Sequence, residues 1–451
     1  MKRSFFLFTL LIAASAYASD LIGSDSTATD SVKPYRVDIN PFAHTYSNLP
    51  LPDPNDTKRP KSISVKYDQG QMLKTNDFLK QDGRKLGYRA FATKFAIGVP
   101  GNSPMNLNYH KPYTGIGFYT ARFDDSDYYG HPFSFFVFHG GSLAEFSQRC
   151  HLQYEWNLGY SANWGHYDDI NAPDNITIGS RENAHIGFNL FFEWQVAKHF
   201  DIKLGGGFTH FSNGATHVPN KGMNLWSPMV ELAYRWDDPS YTFSHLSAGE
   251  LRETYPNMNL KAPYEKHLKH EFTFTVSKRQ LYMDTVGSGL KNEYYDHTFR
   301  VFQLSYAPLY SPNYKWYYGP SIDLVYDESN NASVHQETGR DGLVYNHLHL
   351  GPTGDRIQIG LSAKGELRTP YFNYFGQLGY DLKHEVEKTS RFYQIVGVAA
   401  NFNKNLYGTC GIRAIRLSKA QFIYWSLGYT FDSKTPWGQK KLSTKQASNE
   451  L

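Results

Sequence analysis

Cysteine is nearly absent from this chain of 451 residues, which carries only Cys150 and Cys410. They lie far apart in sequence, so their spacing predicts no disulfide and two free thiols are the expected state. A strong charge of one sign is also missing. The formal net charge is +4, with no Lys/Arg-rich run in the strand-like segments, and nothing argues for nucleic acid as a partner. Long apolar runs are lacking as well. Beyond the first 18 residues no stretch approaches the ~18 apolar residues of a membrane helix, and the mean hydropathy is clearly negative. Metal-ligand clusters are equally scarce: His267 and His270 have metal-like spacing but no third ligand beside them, so no zinc, and no other cofactor, is expected.

The first 18 residues have the character of an export signal. Lys2 and Arg3 make a charged start, Phe5 to Ala14 an apolar run, and Ala16-Tyr17-Ala18 a small-x-small cleavage pattern. An exported chain without an apolar helix is either soluble or a transmembrane β-barrel, whose alternating strands look mild in any hydropathy window. Aromatic content favours the barrel. The chain has 34 tyrosines and 31 phenylalanines, and aromatic girdles at both membrane interfaces are a barrel feature.

Residues 19 to about 85 are rich in Asp, Ser, Thr and Pro, with little periodic hydrophobicity. From Tyr88 onward, strand-like segments of about ten residues alternate with stretches dense in Gly, Asn, Asp and Pro. The expected organisation is a signal peptide (1–18), a polar periplasmic or disordered lead-in (19–85), a first barrel half carrying the site (86–236), a loop or linker (237–265), a second half without the site (266–432) and a polar tail (433–451). The fold class is all-β, an antiparallel transmembrane β-barrel of the outer-membrane type. Up to about fifteen strands are readable, which leaves open one large barrel or two tandem halves of about eight strands. A faint internal repeat favours duplication: the layout of residues 398–431 parallels that of 196–236.

Three consecutive segments fix which face points where. Ala184, Ile186, Phe188, Leu190, Phe192, Trp194 and Val196 take the even positions against a mostly polar odd row. Phe200, Ile202, Leu204 and Phe208 continue the even apolar row, and Trp226, Val230, Leu232, Tyr234 and Trp236 repeat it. A soluble sandwich would turn its polar face outward; in a membrane barrel the apolar row meets lipid. His210 and Ser212 lie on this same even row, at the end of their strand, with Phe211 between them on the opposite face. They form a possible base and nucleophile pair. The short link Ala197-Lys198-His199 belongs to the periplasmic side, which makes the loop 213–223 extracellular and puts the pair against the outer leaflet. Asn224 opens the returning strand on the same row. Glu231, being odd, is expected to be a solvated residue of the lumen. In the second half, Ala414 and Arg416 occupy the positions matching His210 and Ser212, so only the first half is equipped for chemistry.

His210-Phe211-Ser212-Asn213-Gly214 followed by Pro219-Asn220-Lys221-Gly222 resembles the signature of the PagL-type lipid A 3-O-deacylases, outer-membrane barrels that remove an ester-linked acyl chain from lipid A. The preceding segments resemble the Bacteroidetes members of that group, often labelled acyloxyacyl hydrolases. The resemblance covers roughly residues 85 to 236. It implies a serine esterase in which Ser212 is the nucleophile, His210 the general base, and Asn213 and Asn220 the donors to the tetrahedral oxyanion. The family's usual acid, a glutamate, falls on Asn224. An amide can hold the imidazole in the right tautomer without lending it a full charge.

The expected function is therefore an outer-membrane carboxylic ester hydrolase acting on lipid A or lipopolysaccharide, with outer-membrane lipid around it and no cofactor. The oligomeric state is left open. Two alternatives stand beside it. One is a non-catalytic barrel, a channel or structural protein, in which His210 and Ser212 merely share a hydrogen bond. The other is a phospholipase with a calcium site at Asp124, Asp125 and Asp127, three acids better read as solvated loop residues.

Overall fold

The computed structural model describes residues 59–434 except 82, 100–108, 110–111, 148, 198, 237–265, 284, 287–292, 295–296, 314, 370–371, 384–389 and 417–418. It contains two closed antiparallel barrels, each of eight strands. The first is built from β1 (Lys61–Met72), β2 (Gly87–Gly98), β3 (Tyr113–Phe123), β4 (Gly130–Ser147), β5 (Cys150–Trp164), β6 (Asn183–Ala197), β7 (Phe200–Ser212) and β8 (Met223–Arg235). It closes where β1 pairs with β8. The second begins with β9 (His267–Arg279). Three two-residue strands follow: β10 (Tyr282–Met283), β11 (Thr285–Val286) and β12 (Glu293–Tyr294). Its wall continues through β13 (Phe299–Ser311) and β14 (Trp316–Asp327), then an outlying hairpin of β15 (Ser333–Thr338) and β16 (Val344–His349). It is completed by β17 (Ile357–Arg368), β18 (Asn373–Lys383), β19 (Phe392–Asn401), β20 (Leu406–Ile415) and β21 (Lys419–Lys434), the last pairing with β9.

Both barrels are inside-out relative to a soluble protein. Phe188, Leu190, Phe192 and Trp194 of β6 stand exposed on the outer wall, as do Leu204 and Phe208 of β7 and Trp226, Val230 and Leu232 of β8. The second barrel presents Phe272, Phe274, Val276, Leu304, Ile322, Leu324 and Leu427 in the same way. A continuous apolar belt of this size is stable only against hydrocarbon, and closure satisfies every ladder hydrogen bond without an open edge. The molecule is a transmembrane β-barrel protein of the outer-membrane type.

Each lumen is crossed by networks of buried, paired charges. In the first, Lys94 bridges Glu155 at 2.8 Å and Glu231 at 2.6 Å, and Lys203 joins Glu231 at 3.3 Å and Glu193 at 3.5 Å. Glu231 is thus fully buried and ion-paired, not solvated as its parity suggested. In the second, Lys269 joins Glu271 at 2.6 Å and Glu366 at 2.8 Å, Lys364 joins Glu271, and Arg413 reaches Asp381 at 3.0 Å. Buried ions of this kind persist only when each has a partner. The cavity left in the first lumen is about 50 Å³, room for one or two waters.

Several expectations change here. The strand count resolves into two tandem barrels, not one large one. The polar stretch 19–85 was expected as a lead-in, yet it supplies β1, which pairs with β2 and β8 and closes the first barrel. Its inward residues Ser64, Lys66 and Asp68 are buried and its outward Ile63 and Val65 exposed, so charge on the lumen side masked the alternation. The expected signal peptide, the expected linker 237–265 and the expected tail beyond 434 lie outside the described residues. Cys150 and Cys410 are free thiols on the walls of different barrels. His270 is engaged by Tyr306 at 2.9 Å and Ser433 at 2.8 Å, and Asp125 faces Arg84 at 3.7 Å.

The barrels touch along their outer walls. Val99, Phe372 and Ala400 are buried together with Val137, Tyr374 and Val398 packed against them, and the Trp156 ring lies 3.9 Å from that of Tyr374.

Candidate active site

The strand β7 enters its last turn with the register His210 opposite Asn224 of β8 and Ile186 of β6. Period-two alternation sends Phe211 inward, where it is fully buried between Tyr119, Trp164 and His185, and sends His210 and Ser212 outward. Just below them on the outer wall stand Ile186, Phe208 and Trp226, all exposed. The pair therefore lies at the rim of the apolar belt, at the end carrying the long connections 73–86, 165–182 and 213–222. The opposite end has the two-residue connections 148–149 and 198–199 and one longer connection, 99–112.

His210 is held by Asn224: Nδ1 lies 2.7 Å from Oδ1. The amide is oriented in turn, because Asn224 Nδ2 donates to Thr75 Oγ1 at 3.3 Å. With Oδ1 on the imidazole side, Nδ1 carries the proton and Nε2 keeps its lone pair, the tautomer a general base needs. The loop closes over the ring from above. Gly222, at φ +77°, approaches so closely that a Cβ there would lie 2.7 Å from His210 Cε1. Only glycine satisfies both the backbone sign and the contact.

Ser212 Oγ accepts two hydrogen bonds, from the backbone N–H of Gly214 at 3.1 Å and from Asn220 Nδ2 at 2.8 Å. Its hydroxyl is thus held by the loop rather than by His210. His210 and Ser212, the expected base and nucleophile, share one outward row two residues apart, and bonds between such groups commonly tighten only around substrate. The amide of Asn213 goes elsewhere: Nδ2 donates to Ser180 Oγ at 3.1 Å and to the carbonyl of His217 at 3.0 Å, which pins the loop. The structure therefore brings together His210, Ser212, Asn224 and Asn220, while the Asn213 side chain braces the turn beside them.

Sequence reasoning missed Thr75 and Thr177, and read Gly214 as part of the signature but not as a backbone donor to Ser212. Thr75 comes from the stretch read as a lead-in, and no pattern links it to Asn224 149 positions away. The carbonyls of Ile176 and Thr177 accept from the N–H groups of Lys221 and Gly222, tying the site loop to its neighbour. In the second barrel β20 occupies the seventh wall position, as β7 does in the first, and carries Ala414 near the corresponding end, with Arg416 just past it. Among the described residues no group of three His, Cys, Asp or Glu side chains could hold a metal ion.

Residues 279–434 match the family model described as acyloxyacyl hydrolase, C-terminal domain. The match covers the second barrel from the last residue of β9 onward, the half that the resemblance over residues 85–236 did not reach. Among solved structures, the chain is similar to Neisserial surface protein A (7% identity, 39% of this chain and 96% of that one, TM-score 0.27). It is similar to the outer membrane enzyme PagL at 13% identity, over 37% of this chain and 97% of that one, with a TM-score of 0.26. The siderophore receptor PirA from Pseudomonas aeruginosa matches at 9% identity over 83% of this chain and 81% of that one, with a TM-score of 0.18. No curated protein matches the chain.

Proposed function

We propose that this protein is an outer-membrane serine esterase that removes an ester-linked acyl chain from lipid A. The observation that carries the reading is the outward placement of the site at the rim of the apolar belt, where His210 is oriented by Asn224 and Ser212 receives two donors. A glycolipid in the outer leaflet presents its acyl esters at that depth, sugar above and chains below. We place the end carrying 73–86, 165–182 and 213–222 outward, because it holds the longest connection, 165–182, while two of the three connections at the other end are two residues long. The acyloxyacyl hydrolase domain match supports a hydrolase reading of the chain, although it falls on the second barrel and not on His210 or Ser212.

In this reading His210 Nε2 takes the proton of Ser212 Oγ as the oxygen attacks the ester carbonyl. The tetrahedral oxyanion forms next to Oγ, and the N–H of Gly214 and the amide of Asn220, which bond Oγ in the resting site, shift to it as Oγ becomes the ester oxygen. The imidazolium returns its proton to the departing sugar hydroxyl. Water then enters by the same base and releases the fatty acid from Ser212. Asn224 keeps the imidazole aligned throughout but lends it no full charge, which predicts a slower enzyme than one with a carboxylate there. Asn213 acts by bracing the turn.

The channel alternative is opposed by the lumina, which are filled with ion pairs in both barrels. The test is mass spectrometry of lipid A from cells of a Gram-negative host expressing the full chain or its Ser212→Ala variant. Loss of one hydroxyacyl mass with the wild type, and not with the variant, is the expected result. Unaltered lipid A with both barrels correctly inserted would overturn the assignment.

A further inference from the structure

A single eight-stranded barrel holds every residue assigned to the chemistry, so the second barrel needs a reason. It touches the site loop at three points. The backbone N–H of Gln280, just past β9, donates to the carbonyl of Ala215 at 2.9 Å. The Gln280 side chain accepts from the N–H of Val218 through Oε1 at 3.2 Å. Ile423 of β21 packs so tightly on Gly214 that a Cβ there would lie 2.3 Å from Ile423 Cγ1. Gln280 is itself buried, and its Nε2 reaches Thr298 Oγ1 at 3.4 Å, which ties it to the second barrel's own wall.

The segment so gripped is conformationally demanding. Gly214 has φ +62° and Ala215 φ +65°, two consecutive left-handed residues, and the second carries a Cβ. A non-glycine residue stays in that region when its surroundings over-determine it. Gln280 supplies that determination by binding the carbonyl of the strained residue and the N–H three residues on. The same segment carries the N–H of Gly214 at one end, and Asn220 follows two residues after Val218 at the other. Both are donors to Ser212.

We propose that the second barrel is a positioning element for the first barrel's site, with Gln280 as the clamp that holds the 214–218 turn and hence both Ser212 donors in place. Gln280 touches no reacting atom. The proposal rests on the esterase reading, and a conservative pair of substitutions separates the two. Gln280→Met keeps length and loses the acceptor, whereas Gln280→Glu keeps an acceptor for Val218 and can take a hydrogen bond from Thr298.

The experiment is initial-rate hydrolysis of lipid A in mixed detergent micelles by purified full-length chain, after heat-modifiable migration has verified folding of each variant. A donor displaced by a fraction of an ångström should lower kcat about tenfold or more in Gln280→Met, with KM unchanged. Gln280→Glu should recover most of that loss. Wild-type kcat in Gln280→Met, or a Gln280→Glu variant no faster than Gln280→Met, would overturn the clamp. A wild-type chain that is inactive, or equally active as Ser212→Ala, would overturn the esterase reading and the clamp with it. That outcome is visible in chains with Gln280 intact.

Discussion

The two barrels share a wall plan, and the difference that bears on the site lies at one strand end. Both close with eight strands, both turn an apolar wall outward, and both fill the lumen with a lattice of lysine and glutamate pairs. At the seventh strand they part. β7 ends in His210 and Ser212 under a ten-residue loop that supplies Asn220 and Gly222. β20 instead carries Ala414 near its end and is followed by Arg416 and a short turn. Closure and lumen chemistry therefore specify the scaffold, while in the esterase proposal two outward positions and one loop carry the chemistry.

Changes at the seventh strand should break the comparison most severely. Ser212→Ala is expected to lower lipid A hydrolysis by at least about 10⁴-fold, and His210→Ala by a comparable factor, the double variant losing little more because the two act as a unit. Quantitative mass spectrometry of lipid A over time would measure this. Asn220→Ala removes a donor to Ser212 and should cost about 10²-fold in kcat with KM nearly constant, read by the same assay. Asn224→Asp sharpens the comparison in the opposite direction. A carboxylate would keep the acceptor for His210 Nδ1 and stabilise the imidazolium, and a charge-assisted bond should raise kcat about tenfold. If that variant is slower than the wild type, the donor contact from Asn224 to Thr75 matters more than charge.

The smallest effect on activity is expected inside the second barrel. Lys364→Met strips Glu271 of one of its two lysines, and breaking a buried pair destabilises by about 3 kcal/mol. Unfolding in denaturant should register the loss while hydrolysis by the folded fraction stays at the wild-type rate.

Much of this was legible in the sequence, for a physical reason. Strands in a membrane wall alternate strictly, so the even row through Ile186, Phe208 and Trp226 determined where His210 and Ser212 point. Alternation says nothing about which strand closes a barrel, and that is why the pairing of β1 with β8, and hence two barrels rather than one, was not readable. β1 itself was hidden because Lys66 and Asp68 face a charged lumen instead of water. At the site, residue types were visible but not amide directions. Asn213 and Asn220 read as equivalent, yet one donates to the loop and the other to Ser212. Thr75 and Gln280 reach the site across distances in sequence that no local motif spans.

The central claim is that chemistry belongs to one outward serine of the first barrel. Peptide mapping after reaction of the membrane-inserted full chain with a lipophilic fluorophosphonate tests it most directly, because such a reagent bonds only to a serine whose proton a neighbouring base removes. The account predicts a single adduct, on Ser212, abolished by His210→Ala. An adduct on any residue of the second barrel, or an unmodified Ser212 in the folded wild type, would contradict it.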